Sequence, residues 1–189
     1  LTLANALLLQ GSTLILGFFS GPTAVAVFNS ARTVTRVPLQ FTGMLVSPSI
    51  PELTNAFSKN NKSLITKILK INILLALFST IPFFVIIGFF GSDIISLMSD
   101  GNIKVDRTLF LMLAFISVIS SINLACTAPL ISMNNQGRFA GYYLKVACSI
   151  LLIPLFSNVD IIWVLTVLLS VIEISLLLKV SKILKSGIH

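Results

Sequence analysis

Long apolar runs alternate with short polar punctuation along the whole chain. A helix rises 1.5 Å per residue, so about 20 mostly apolar residues cross the roughly 30 Å hydrocarbon layer of a bilayer. Six segments meet or approach that length: Leu3–Phe19, Thr23–Val46, Ile68–Phe90, Thr108–Ser132, Phe139–Phe156 and Ile161–Leu178. Turn-forming residues separate them, at Ser20-Gly21-Pro22, Ser47-Pro48 with Pro51, Ser99-Asp100-Gly101-Asn102, Asn134-Asn135-Gln136-Gly137 and Ser157-Asn158. The pattern predicts an all-α integral membrane protein with six transmembrane helices in residues 1–189. Pro51–Thr66 is too polar to cross and reads either as a segment lying along the cytoplasmic membrane surface or as a solvated loop that only sets topology. Asp93–Met98 reads as a short interfacial turn.

A polar stripe interrupts the second run. At 100° per residue, Asn29, Arg32, Arg36 and Gln40 share one helix face. Counted from Pro22, Arg32 lies roughly 15 Å and Arg36 roughly 21 Å along the helix, too deep for their heads to reach lipid headgroups. A charge at that depth costs at least about 2.5–3.5 kcal/mol on insertion scales, so the pair requires a hydrated cavity or an anion. The first run carries Asn5, Gln10, Ser12 and Thr13, and its short connection makes it the antiparallel neighbour of the second. Arginine presents a planar fork that suits phosphate, and two forks at i and i+4 cover a diphosphate. Asn29, Arg32, Arg36, Gln40 and Gln10 are therefore the candidate substrate-binding residues. The competing reading is a structural ion pair with a buried carboxylate. Its candidate is Glu173, about 18 Å beyond Ile161 and on one face with Thr166 and Ser170. Glu173 is equally a candidate for coupling transport to protons or ions. Pro38, between Arg36 and Gln40, predicts a kink that re-aims the arginines.

Composition and charge narrow the class. The 189 residues are 56% hydrophobic and only 10% charged, and the mean hydropathy of +1.01 belongs in a bilayer. Leu1, followed at once by an apolar run, reads as the start of a fragment of a longer chain, with no signal peptide visible. The formal charge of +7 does not mark nucleic-acid binding, because the basic residues flank apolar runs instead of forming a tract among aromatics. Lys59, Lys62, Lys67, Lys70, Arg138, Lys179, Lys182 and Lys185 fall on one predicted side; Lys104 and Arg107 fall on the other, among Asp93, Asp100 and Asp106. By the positive-inside rule both ends of the segment are cytoplasmic. Lys145 is placed to snorkel to that same face. Cys126 and Cys148 lie in apolar runs and read as packing residues, and the one histidine is the terminal His189. No metal, cofactor or catalytic residue is expected.

Gln10-Gly11, Leu16-Gly17, Gly21-Pro22, Ala26-Val27-Phe28-Asn29, Ala31-Arg32-Thr33, Arg36, Gln40 and Pro51-Glu52-Leu53 form a series. It resembles the start of the C-terminal half of O-antigen and polysaccharide flippases, within the multidrug/oligosaccharidyl-lipid/polysaccharide exporter superfamily. The resemblance is carried by Gln10 to Leu64; beyond that, only helix count and loop lengths agree. It implies one lobe of a two-lobe transporter fold like that of the multidrug and toxin extrusion (MATE) proteins, with the N-terminal lobe of the same chain missing here. It also implies a function: moving an undecaprenyl-diphosphate-linked oligosaccharide across the bacterial inner membrane by alternating access. Arg32 and Arg36 match the family's arginine-rich segment, and Pro51-Glu52 its proline–acid signature.

Three other classes remain open, one of them a structural or assembly subunit in which the arginines only pair with Glu173. A multidrug or cation antiporter of the same fold would favour a cavity rich in carboxylates and aromatics. A membrane-embedded transferase of the same lipid carrier would want a catalytic acid or base in a loop, where this chain offers only Asp93, Asp100 and Asp106.

Overall fold

Apolar runs fold as helices here because a buried or lipid-facing backbone has no water to satisfy its N–H and C=O groups. The computed structural model describes residues 2–101, 103, 105–133, 136–150 and 160–188, and among them no residue is in a strand. The elements are α1 (Thr2–Ala6), a π-turn (Leu7–Gly11), α2 (Ser12–Thr35), α3 (Val37–Val46), α4 (Ser49–Ser58), α5 (Lys62–Met98), α6 (Arg107–Ser132), α7 (Gln136–Ala147) and α8 (Ile161–Ile188). Four stretches are long and apolar enough to cross a membrane: Leu3–Val46, Lys62–Leu97, Arg107–Ser132 and Ile161–Leu184.

The first of these spans 44 residues. Straight, it would reach about 66 Å, twice the hydrocarbon thickness. It instead folds back at Gly21, whose φ of +81° and ψ of 177° are open to glycine and costly for other residues. Pro22 lacks an N–H and has its φ preset, so it starts the returning leg without losing a hydrogen bond. The legs lie side by side. Thr13 Oγ1 donates to Asn29 Oδ1 at 3.3 Å, and a Cβ added to Gly17 would sit 3.5 Å from Val25. The expected antiparallel pairing of the first two runs is therefore present. The returning leg breaks gently at Arg36 (φ −91°, ψ −5°), just before Pro38.

The third run is longer than its apolar pattern suggests. α5 is 37 residues, about 55 Å at helical rise, and continues without interruption through Asp93 to Met98. The expected interfacial turn there is instead the helix's last turns, and the chain turns only at Asp100 and Gly101, both with positive φ. α5 returns as α6 in a close hairpin. A Cβ on Gly91 would lie 2.5 Å from the Phe110 ring, and one on Gly88 3.1 Å from Leu111.

α6 is the central helix: 56% of its apolar window is buried, against 17% for α5. α3 lies antiparallel to α5, joined by a 2.7 Å hydrogen bond between the Thr42 and Ser79 hydroxyls and by the Phe41–Phe83 ring contact. The polar segment after α3, expected along the membrane surface or as a solvated loop, is helical over most of its length. It forms α4, whose Leu53 and Ala56 are buried against α5 and α6. Asn72 Nδ2 donates to Ser49 Oγ at 2.8 Å, and Ser132 Oγ to the Ile50 carbonyl at 3.3 Å. Leu74, Phe78, Ile81, Val85 and Phe89 of α5 stay exposed on a face suited to lipid.

α7 accounts for the start of the expected fifth crossing, followed by a 3₁₀ turn at 148–150; residues 151–156 of that crossing, with Pro154, lie outside the described residues. Gly11 approaches Ile150, and Lys179 Nζ sits 5.3 Å over the Tyr142 ring, which ties α7 to the first leg and to α8. Of the two cysteines, Cys126 is buried but Cys148 is exposed, so only the first fits the packing expectation.

Candidate functional site

The stripe read from the sequence opens onto one cleft. Gln10, Thr13, Asn29, Arg32, Thr33, Arg36 and Gln40 line an outer cleft of about 560 Å³ between the two legs of the first hairpin. Gln10, Thr33 and Gln40 are exposed, so the cleft opens outward. All five candidate binding residues therefore border the same space. Helical spacing places Asn29, Arg32, Arg36 and Gln40, and the Gly21 reversal supplies Gln10 from the opposite leg.

The two arginines differ in what they touch. Arg32 is largely occupied by backbone. Its Nη1 donates to the Leu9 carbonyl at 3.1 Å and to Ser12 Oγ at 3.0 Å, its Nη2 lies 3.4 Å from the Leu8 carbonyl, and its guanidinium stands 5.6 Å over the Phe28 ring. Those carbonyls belong to the π-turn, where the regular i→i+4 ladder is interrupted and an acceptor is left over. Arg36, by contrast, makes no side-chain hydrogen bond among the described residues, and no described carboxylate lies within 4.0 Å of it. It is a cation within an apolar stretch long enough to cross a membrane, without a direct partner there.

Arg36 also faces inward. Together with Leu39 it lines both the outer cleft and a second, partly open space of about 420 Å³, the inner cavity. The inner cavity has mostly apolar walls, including Leu124, Leu130, Ile131, Phe139 and Leu176, and its polar lining is Asn5, Ser120, Asn123, Thr127, Tyr143 and Glu173. A narrow extension of about 60 Å³, large enough for water only, brings Arg32, Arg36 and Glu173 around one space. Glu173 is thus near the arginines, yet its direct partner is another residue: Asn123 Nδ2 donates to Glu173 Oε2 at 2.7 Å and to its backbone carbonyl at 2.9 Å. The arginine–glutamate ion pair of the competing reading is not formed in this arrangement. Thr166 and Ser170, grouped with Glu173 by spacing, turn their hydroxyls back to the Ile162 and Thr166 carbonyls. Such i→i−4 bonds are the ordinary fate of hydroxyls in apolar helices.

Asn123 was not singled out by the sequence, and it is the best-placed polar residue of the inner cavity. It is 7% exposed, and its Oδ1 is buried without a partner. A lone asparagine within an apolar run was the available signal; its pairing across 50 residues was not. Among the described residues no group of three or more His, Cys, Asp or Glu stands together to hold a metal. Chemically, the site offers a directional cation facing an open polar cleft, backed by a carboxylate in an apolar chamber.

The site and the four apolar helices describe an α-helical chain suited to a membrane, with an internal polar cleft. No protein-family model, curated protein or solved structure matches the chain at a significant level.

Proposed function

We propose that the chain is one lobe of a MATE-like exporter that flips an undecaprenyl-diphosphate-linked oligosaccharide across the bacterial inner membrane. In this reading it has six crossings: the two legs of the first hairpin, α5, α6, the α7 run and α8. Both ends are cytoplasmic, a second lobe of the same chain faces the open cleft, and no covalent chemistry is done. The single observation that carries it is Arg36, which lines a cleft of about 560 Å³ without a described ion-pair partner. A guanidinium with unused donors is matched by a multiply charged anion such as a diphosphate. The polar amides around it, Gln10, Asn29 and Gln40, suit sugar hydroxyls. The resemblance over Gln10 to Leu64 names the carrier.

The test is Arg36→Ala and Arg36→Lys in the full-length protein, in cells lacking the native gene. At normal membrane abundance, Ala should abolish surface polysaccharide and Lys should recover only part of it. Binding of undecaprenyl diphosphate to purified Arg36→Ala should weaken about 10–100-fold, the value of one charged hydrogen-bond set. Unchanged polysaccharide in Arg36→Ala sinks the reading.

One observation favours a second reading. The inner cavity places Glu173 beside Phe139 and Tyr143, a carboxylate–aromatic set suited to an organic cation. In that case the chain is a multidrug or cation antiporter lobe, and Glu173→Gln should abolish drug resistance while surface polysaccharide stays normal.

A further inference from the structure

We propose that Arg32 is a positioning residue that sets the helical register of the chain's first turns, and so selects which side chain the inner cavity receives. The π-turn Leu7–Gly11 accommodates one residue more than an α-helix would over the same rotation. Two donors converge on its Leu9 carbonyl, Ser12 Oγ at 2.9 Å and Arg32 Nη1 at 3.1 Å, and Thr13 Oγ1 lies 3.1 Å from it, its one proton divided between this carbonyl and Asn29 Oδ1. Arg32 Nη2 reaches the Leu8 carbonyl as well. Ser12 and Thr13 are local and would make the same bond beside an ordinary helix. Only Arg32 comes from the opposite leg, 23 residues away. It is the one contact among these that distinguishes the π-turn from a regular helix.

The residues before the turn carry the consequence. Asn5 of α1 lines both the inner cavity and its narrow extension, as do Tyr143 and Arg36. Relaxing the π-turn to α-helix removes one residue from the count, so Ala6 takes the place of Asn5 and Asn5 swings away by about 100°. An amide in the cavity is exchanged for a methyl group. Arg32 also lines the outer cleft, where an anion competes with the Leu8 and Leu9 carbonyls for its guanidinium. Filling the outer cleft thereby withdraws Asn5 from the inner cavity and couples the two spaces. This ligand-driven half rests on the anion-carrier reading above; the register control does not.

The test is disulfide cross-linking in a chain with Cys126 and Cys148 replaced by Ala, carrying Tyr143→Cys with either Asn5→Cys or Ala6→Cys. A protease site inserted at the exposed Gly101 makes the link visible on a gel. With Arg32 intact the 5–143 link should dominate. Arg32→Ala should shift it to 6–143, and deleting Leu7 in that background should return it to 5–143. If Arg32→Ala fails to accumulate, deletion of Leu7 should restore its abundance, and absence of that rescue overturns the proposal. A 5–143 link that persists in Arg32→Ala at normal abundance also overturns it. Undecaprenyl diphosphate added to the Arg32 protein in nanodiscs should produce the same shift to 6–143. A shift with Arg32→Ala but none with diphosphate leaves the register control standing and overturns the ligand-driven coupling; failure of the anion-carrier reading itself is read separately, from undecaprenyl diphosphate binding to Arg36→Ala.

Discussion

Arg32 and Arg36 are one helical turn apart and chemically identical, yet their surroundings assign them different work. Arg32 spends its donors on Leu8, Leu9 and Ser12, which fastens the two legs of the first hairpin together. Arg36 makes no side-chain hydrogen bond among the described residues and lines the cleft. Stability and ligand binding should therefore separate between them. Arg32→Ala should lower the unfolding free energy in detergent by about 1–3 kcal/mol, the usual effect of removing a charged donor from buried acceptors. Arg36→Ala should change it by less than about 0.5 kcal/mol, as substitutions that break no contact generally do. Denaturation of the two purified variants, compared with the parent, checks the split. Equal losses would place Arg36 in a packing role.

Among elements, the α5–α6 hairpin is the tightest joint described. Gly91 lets the Phe110 ring lie directly against backbone, whereas Gly137 of α7 has nothing within 4 Å of where its Cβ would stand. Gly91→Ala must move Phe110, which is 2% exposed and has little room. Overpacking of that kind costs about 1–3 kcal/mol. Gly137→Ala meets no obstacle and should be neutral or stabilising by up to about 1 kcal/mol through helix propensity. Thermal unfolding in micelles should rank Gly91→Ala well below Gly137→Ala, and the reverse order would contradict the packing described. Gly21 tells a related story in dihedral space: there the glycine is needed for its backbone angle, since nothing crowds its Cβ position.

Over the whole molecule, α5 starts and α6 ends at the same side of the bundle. Lys59, Lys62, Lys67 and Lys70 surround that end of α5, and the Asp100–Gly101 turn lies at the other. The positive-inside rule then assigns the lysine end to the cytoplasm in the proposed orientation. A periplasm-dependent phosphatase inserted at Gly101 should be active, and one inserted at Asn60 inactive. Opposite activities would invert the proposed orientation of the chain.

Much of this architecture was legible along the chain, because membrane crossing depends on hydropathy summed over a window and turns depend on local residue chemistry. The apolar runs, the reversal at Gly21-Pro22, the turn at Asp100-Gly101, the break near Pro38 and the shared face of Asn29, Arg32, Arg36 and Gln40 are all short-range properties. The sequence by itself determined those. It did not determine where α5 ends, since Asp93 and Ser96 are tolerated once a helix emerges from the apolar layer. Nor did it determine which partner each polar side chain takes. Arg32 finding the π-turn carbonyls, Asn123 rather than an arginine finding Glu173, and Arg36 being left facing two cavities were decided only by tertiary structure. Each of those outcomes depends on distances of a few tenths of an ångström between residues far apart in the chain, and helical periodicity carries no information at that range.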